Sequence, residues 1–268
     1  MAVIIVIAVL VALIFVLILI VKHCIFMNKL KWHFNKSNII IFGYKSSGKD
    51  LITNKFINLR NEPYYANMPY TKDEENYMHI EIKELTLGSN TPMDFVNGDI
   101  KKTQHKFIES CNCYISDMGV YLPNYLDSKL YVKFPSLPIF YPLSSQTYDM
   151  NIIFNTQDIN RGWKALREQA DYFIWTKRTF KIFGFLFTKC YGYEKFETAQ
   201  KKMLPVKTRF LNKYSKAEVD IYNATNGEIL SGYIIQRTKN VHYDTRYFEK
   251  VVLEGVRIAN PKKKKSRR

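Results

Sequence analysis

The segment Asn38-Ile39-Ile40-Ile41-Phe42-Gly43-Tyr44-Lys45-Ser46-Ser47-Gly48-Lys49-Asp50 constrains the fold more than any other part of the chain. An apolar, β-branched run leads into a Gly-x-x-x-x-Gly-Lys turn, and an amphipathic stretch from Leu51 to Leu59 follows. Strand, loop and helix in that order is the sequence form of a phosphate-binding loop. The chemistry requires the order. Backbone N–H groups at a helix N-terminus surround a phosphate, glycines reach dihedrals that other residues resist, and the lysine offsets phosphate charge. Gly43, Tyr44, Lys45, Ser46, Ser47, Gly48, Lys49, Asp50 and Leu51 are therefore candidate nucleotide-binding residues, with ATP the expected ligand. The plain alternative is an ordinary Gly/Ser loop between a strand and a helix. Position 50 departs from the pattern. Ser or Thr belongs there, with its hydroxyl on Mg²⁺, and the residue is Asp. A carboxylate also ligates Mg²⁺ but brings negative charge close to the phosphates. The competing role is a cap on the helix that begins near residue 48.

Residues Met1 to Val21 carry no charged or strongly polar side chain. About 20 such residues cross the hydrocarbon core of a bilayer, and a core helix of that length would carry a polar face. A cleaved signal peptide would begin with basic residues and end in a small-residue cleavage site, neither of which is visible. The stretch is expected to be a transmembrane helix. Lys22, Lys29, Lys31 and Lys36 flank only its C-terminal side, which places the remainder in the cytoplasm, the N-terminus outside, and the whole at an inner or host cell membrane. The expected organisation is 1–21 membrane helix, 22–37 basic linker, 38–258 nucleotide-binding domain with a β-rich C-terminal portion, and 259–268 basic tail.

The formal charge is +16, and Lys262 to Arg268 contribute six of those positives. Such a tail suits nucleic acid or anionic lipid headgroups, or is simply solvated. Cys24, Cys111, Cys113 and Cys190 do not form the paired spacing of a zinc site, and read as buried free cysteines of a reducing compartment rather than metal ligands.

Along the chain, strands are expected at about 38–43, Pro63–Asn67, Asn112–Asp117, Asn151–Asn155 and Tyr172–Trp175. An exposed strand or hairpin is expected within Tyr77–Leu87. Helices are expected at about 48–59, Lys102–Glu109 and Trp163–Ala170. A Pro-rich stretch containing Pro123, Pro135, Pro138 and Pro142 follows the strand that ends at Asp117. Aromatic residues spaced by two between Arg178 and Phe196 suggest a β-hairpin, packed on the core in preference to dipping into a membrane. Strands alternating with helices give an α/β fold: a P-loop NTPase with a mainly parallel central sheet, flanking helices and an N-terminal transmembrane helix.

A P-loop ATPase also needs an acid at the end of a neighbouring buried strand. Asp117 ends Cys113-Tyr114-Ile115-Ser116-Asp117, and Met118 follows where a second acid is usual. Asp117 is a candidate catalytic and metal-side residue, alongside Asp50 on the metal. A register shifted by one would put Ser116 on the metal side and make Asp117 the water-activating acid. An acid at a strand end is also a common helix cap. Gln157, with Thr156 second, is positioned at the end of an inner strand to contact the γ-phosphate or the attacking water. Arg167 is the candidate for an arginine acting on a neighbour's nucleotide, or pairs on the surface with Glu168 or Asp171.

The combination of Ile41 to Lys49, Tyr114-Ile115-Ser116-Asp117, and Asn155-Thr156-Gln157-Asp158 followed by Leu166-Arg167-Glu168-Gln169-Ala170-Asp171 resembles the zona occludens toxin (Zot)-like family. That family includes the gene I assembly proteins of filamentous phages and is similar to the FtsK/HerA ATPases. The resemblance covers roughly residues 38 to 178. It implies a membrane-bound ATPase that exports or packages single-stranded phage DNA, works as a ring of copies, and meets virion proteins. It also implies a Walker A role for Gly43 to Lys49, a Walker B role for Asp117 and a sensor role for Gln157. Three features depart from the family: Asp50, Met118, and a membrane span that precedes the ATPase domain. The first two leave hydrolysis open. A conjugation or secretion motor is the first rival, which a long all-α insertion after the first helix would support. A non-hydrolysing, nucleotide-gated membrane scaffold is the second, favoured by Asp50 and Met118.

Overall fold

The computed structural model describes residues 2–70, 74–80, 111–147, 150–193 and 230–241. The expected helix at Lys102–Glu109 and the basic tail lie outside these residues, as does most of the segment expected as a strand or hairpin within Tyr77–Leu87.

Eight strands form one mixed sheet: β1 (Ile39–Phe42), β2 (Tyr64–Ala66), β3 (Tyr77–His79), β4 (Asn112–Ile115), β5 (Ile152–Thr156), β6 (Tyr172–Ile182), β7 (Phe185–Tyr193) and β8 (Leu230–Arg237). Their order is β3-β2-β4-β5-β1-β6-β7-β8. Pairs from β3 through β6 are parallel, and β7 and β8 add antiparallel neighbours. Every residue of β1, β2, β4 and β5 is buried, as strands covered on both faces require.

The alternation of side chains splits the core in two. Ile40, Phe42, Cys113, Ile115, Phe154 and Trp175 face a layer that includes Leu130, Leu137, Phe140, Trp163 and Leu166. Ile39, Ile41, Tyr114, Ile153 and Ile174 face Ile52, Phe56 and Ile57 of helix α2 (Lys49–Arg60) and Phe26, Met27 and Leu30 of helix α1 (Ala2–Lys36). This is the expected α/β arrangement of a P-loop NTPase. At the N-terminal ends of the inner strands, Asn38 holds three elements together. Its Oδ1 accepts from the Ile152 N–H at 2.8 Å, its backbone N–H donates to Asp171 at 2.7 Å, and its amide donates to the Tyr141 carbonyl.

Helix α1 departs from expectation. Residues 22–37, expected as a basic linker, carry the same helix on to Lys36. The reason lies in its pattern. Leu19, Phe26, Met27 and Leu30 fall on one stripe at helical spacing and are buried. Phe26 packs on Gly232 of β8, where any Cβ would overlap its ring, so the lower helix is docked on the sheet. The stretch from Val3 to Lys31 is long and apolar enough to cross a membrane, and most of it is exposed.

The Pro-rich stretch holds α3 (Met118–Tyr121), α4 (Asp127–Lys133) and α5 (Leu137–Thr147), the last with Pro142 inside it. Burial of Leu137, Phe140 and Tyr141 outweighs the proline penalty there. The helix expected at Trp163–Ala170 shrinks to α6 (Lys164–Arg167). The expected aromatic hairpin is β6–β7, longer than its aromatic run suggested. Its turn, Phe183-Gly184, has positive φ at both residues (44° and 77°), the geometry of a two-residue hairpin loop.

Candidate functional site

The loop after β1 has the form its sequence demands. Ser47 N–H donates to the Tyr44 carbonyl at 3.1 Å, closing the turn, and Ser46 sits in the left-handed region (φ 63°). Gly48 caps α2 with φ 98°, and a Cβ there would overlap Thr179 Oγ1. A Cβ on Gly43 would overlap the backbone and hydroxyl of Thr176. Both glycines are therefore fixed by close approach as well as by the turn. Tyr44, Lys45 and Ser46 are exposed, Ser47 and Leu51 are buried, and Leu51 begins the apolar face of α2.

Lys49 reaches back into its own loop. Its Nζ donates to the carbonyls of Gly43 (3.0 Å) and Tyr44 (3.2 Å), and the residue is only 7 % exposed. Burial lowers its pKa, opposed by the nearby carboxylates of Asp50 and Asp117. The ammonium is thus held by the carbonyls of its own loop.

Asp50 does not cap the helix. Its Oδ1 accepts from Asn155 Nδ2 (2.9 Å), Ser116 Oγ (3.3 Å) and the Tyr70 hydroxyl (3.4 Å). These bonds all go to one oxygen and leave Oδ2 clear of them. Asp50 thus faces the ends of β4 and β5 across the loop. Burial and the Asp50 charge hold the Asp117 carboxyl above its ordinary pKa, against Lys49. Asp117 lies at the N-terminus of α3 in the left-handed region (φ 56°), with no capping bond from its side chain. Of the two registers left open by the sequence, the structure turns Ser116 Oγ onto Asp50. Ser116 is locked by Asn67, whose amide donates to the Ser116 carbonyl (3.0 Å) and accepts from its N–H (2.9 Å). Asp50, Ser116 and Asp117 together make an all-oxygen set of hard donors beside one lysine, which fits Mg²⁺ by its chemistry.

Gln157 is exposed immediately after β5, whose Thr156 pairs with Phe42 and accepts the Gly43 N–H at 3.3 Å. The end of the inner strand and the phosphate loop are thus adjacent. Arg167 is not a surface residue. It is 6 % exposed, and its guanidinium donates to Asn160 and Asn124, both at 3.4 Å. The surface ion pair with Glu168 belongs to Lys164 instead (3.7 Å).

Several site residues carried no sequence signal. Asn67 and Tyr70, both after β2, converge on Ser116 and Asp50, where Asn155 of β5, from the Asn155–Asp158 segment, joins them. A set of threonines braces the loop from the hairpin. Thr176 Oγ1 lies 2.5 Å from Ser47 Oγ, Thr179 donates to the Ser47 carbonyl at 2.9 Å, and Thr188 lies 2.8 Å from Thr179. Only period-two alternation in that hairpin, placing Thr179 and Thr188 on one face, hinted at them. Cys111, Cys113 and Cys190 are buried as expected, whereas Cys24, on the outer face of α1, is exposed, and among the described residues no group of three or more His, Cys, Asp or Glu side chains forms a metal site.

No family model matches the chain, and no curated protein matches it. Among solved structures it is similar to the genome packaging NTPase B204 from Sulfolobus turreted icosahedral virus 2 in complex with ATP-gammaS. The identity is 13 %, the match covers 78 % of this chain and 96 % of that one, and the TM-score is 0.38. It is also similar to the N-terminal domain of zonular occludens toxin from Neisseria meningitidis, at 11 % identity, with 80 % and 98 % coverage and a TM-score of 0.40. The fold assignment rests on the strand order and loop geometry of the chain itself: a P-loop NTPase sheet whose phosphate loop lies beside the ends of β4 and β5.

Proposed function

We propose that the chain is a membrane-anchored P-loop ATPase of virus assembly, using ATP to extrude or package single-stranded viral DNA at a host membrane. The observation that carries the nucleotide reading is Lys49, seated between the Gly43 and Tyr44 carbonyls with Asp50 and Asp117 close by. Gly43 to Leu51 hold the phosphates. Asp50 and Asp117 hold Mg²⁺, which when bound neutralises charge on the β- and γ-phosphates. Gln157 orients the attacking water. The assembly role rests on the sequence resemblance alone, through the Thr156-Gln157-Asp158 and Leu166–Asp171 segments. Action as a ring, with virion proteins and DNA as partners and the basic tail on nucleic acid or anionic lipid, belongs to the same reading.

One observation favours a second reading, a nucleotide-gated scaffold without turnover. Met118 fills the position of the second acid and is fully buried, its side chain packed where a Cβ on Gly162 would fall. The discriminating experiment is ATP turnover by the full chain in vesicles, with and without single-stranded DNA, for the native protein and Asp117→Asn. Turnover stimulated by DNA and lost in Asp117→Asn supports the motor. Tight ATP binding without turnover supports the scaffold. Orientation is checked by protease added outside intact cells, which should spare the domain until lysis.

A further inference from the structure

We propose that the tip of the β6–β7 hairpin is a second membrane contact, inserting Ile182 and Phe183 into the bilayer that α1 crosses and bringing Lys181, Arg237 and Lys239 to anionic headgroups. The proposal rests on reading α1 as a membrane span.

Helix α1 runs antiparallel to β8. His23 Nδ1 lies 2.8 Å from the Tyr233 carbonyl and 3.3 Å from the Ile235 backbone nitrogen, whereas Phe26, one turn later, packs on Gly232. The apolar part of α1 therefore leaves the domain in the direction in which β8 runs. The hairpin leaves the same way. Phe185 pairs with Arg237, and Thr238 N–H donates to the Gly184 carbonyl at 2.9 Å, so the turn lies level with the end of β8. From Tyr233 to Thr238 the strand advances roughly 10–16 Å along the helix direction. That distance corresponds to about seven to eleven helical residues above His23. Counted back from His23, that places the turn level with residues 12 to 16, inside the apolar stretch, where Ile182 and Phe183 meet acyl chains and the long basic side chains beside them reach the headgroups by extending back along the span.

The side chains at the tip match that position. Phe183 is 97 % exposed, and Ile182 is also exposed. Nothing lies within 4 Å of where a Cβ on Gly184 would sit, so the turn stands clear of the domain. Lys181, Arg237 and Lys239 are exposed around it. An apolar tip collared by cations is the composition of an interfacial anchor. A solitary exposed phenylalanine on a soluble surface has no such directional partner. The same hairpin touches the phosphate loop, through Thr176 to Ser47 Oγ and through Thr179 to the Ser47 carbonyl. The hairpin thus connects the proposed membrane contact to the phosphate loop.

The test uses the full chain in vesicles of phosphatidylcholine and phosphatidylglycerol. Cys24 is the exposed cysteine among the described residues and is replaced by Ser. Single cysteines carrying an environment-sensitive fluorophore are then placed at Phe183, at Leu10 within the span, and at Gln169, exposed at the opposite end of the sheet. The expected result is blue-shifted emission and quenching by lipid-borne nitroxide at 183 and at 10, but not at 169. Lys181→Glu should weaken the quenching at 183 in anionic vesicles and leave it unchanged at 10. Quenching at 10 without quenching at 183 overturns the hairpin contact while α1 remains a span. Quenching at neither position overturns the span, and the proposal with it.

Discussion

Asn155 Nδ2 donates to Asp50 Oδ1 at 2.9 Å, tying the inner strand β5 to the first turn of α2 directly behind the phosphate loop. The same amide exchanges hydrogen bonds with Thr53, at 3.1 and 3.3 Å. The pair lies on the sheet face covered by α2, where an isolated carboxylate would be costly. Asn155→Leu removes the shortest of the three bonds to Asp50 while keeping the volume. The expected cost is about 1–3 kcal/mol of stability, from a polar group left short of a donor. Denaturant unfolding measures it, and a midpoint equal to the native one would show that the bond carries no net weight.

Lys49→Ala should lower ATP affinity at least tenfold, or about 1.4 kcal/mol. The lysine is already desolvated and held at the loop carbonyls, so its removal takes the main cation from the cradle without disturbing the core. Calorimetric titration with ATP reads the effect. Equal affinity in the variant would show that this loop does not bind phosphate.

Arg167→Ala is expected to act first on stability. The guanidinium bridges Asn124, before α4, to Asn160, after β5, within one domain. Breaking two charge-assisted bonds in a buried position should cost about 2–5 kcal/mol and lower Tm, with ATP affinity retained in the folded fraction. A role on a neighbour's nucleotide has a separate signature. Arg167→Ala and Lys49→Ala are each inactive in that case, and mixing them restores turnover. Unchanged Tm together with restored turnover on mixing would make Arg167 a trans-acting residue and remove it from the core.

Much of this arrangement was legible in the sequence. The β1–loop–α2 unit was readable because three constraints agree there: a β-branched run, glycines at fixed spacing and an amphipathic helix. Strands β4 and β5 were readable because both of their faces are buried, which leaves short apolar runs with polar ends. Helix α5 was hidden because its proline content argues locally for a loop, and only burial of Phe140 and Tyr141 decides otherwise. The continuation of α1 was hidden because its lysines looked like a linker, while Phe26 and Leu30 on a single stripe fix it to β8. Asn67, Tyr70 and the threonines could not be found, since their roles arise from pairing between strands distant in sequence. That Arg167 is buried instead of pairing on the surface was hidden for the same reason: its partners, Asn124 and Asn160, come together only in the fold.

Asp50 offers the sharpest test of the site. Its carboxylate faces Ser116 and Asn155 instead of capping α2, and the Asp117 carboxyl is held above its ordinary pKa partly by the Asp50 charge. The two acids therefore repel each other, and each repels incoming phosphate, while Lys49 offsets them. A divalent cation relieves all of these repulsions at once. Nucleotide binding should accordingly depend on Mg²⁺ more steeply than it would with a hydroxyl at this position. Asp50→Ser removes one negative charge and supplies the usual hydroxyl. Metal-free ATP affinity should rise several-fold in the variant, on the order of 1 kcal/mol for one charge interaction near the surface. Its affinity at saturating Mg²⁺ should change less. The measurement is a Mg²⁺ titration of ATP binding for the native chain and for Asp50→Ser, with Asp50→Asn as the variant that keeps the shape and drops the charge. If charge is the cause, Asp50→Asn should share the raised metal-free affinity but lose affinity at saturating Mg²⁺. Superimposable titrations for all three chains would take Asp50 out of the metal site and leave it a structural acceptor for Asn155, Ser116 and Tyr70.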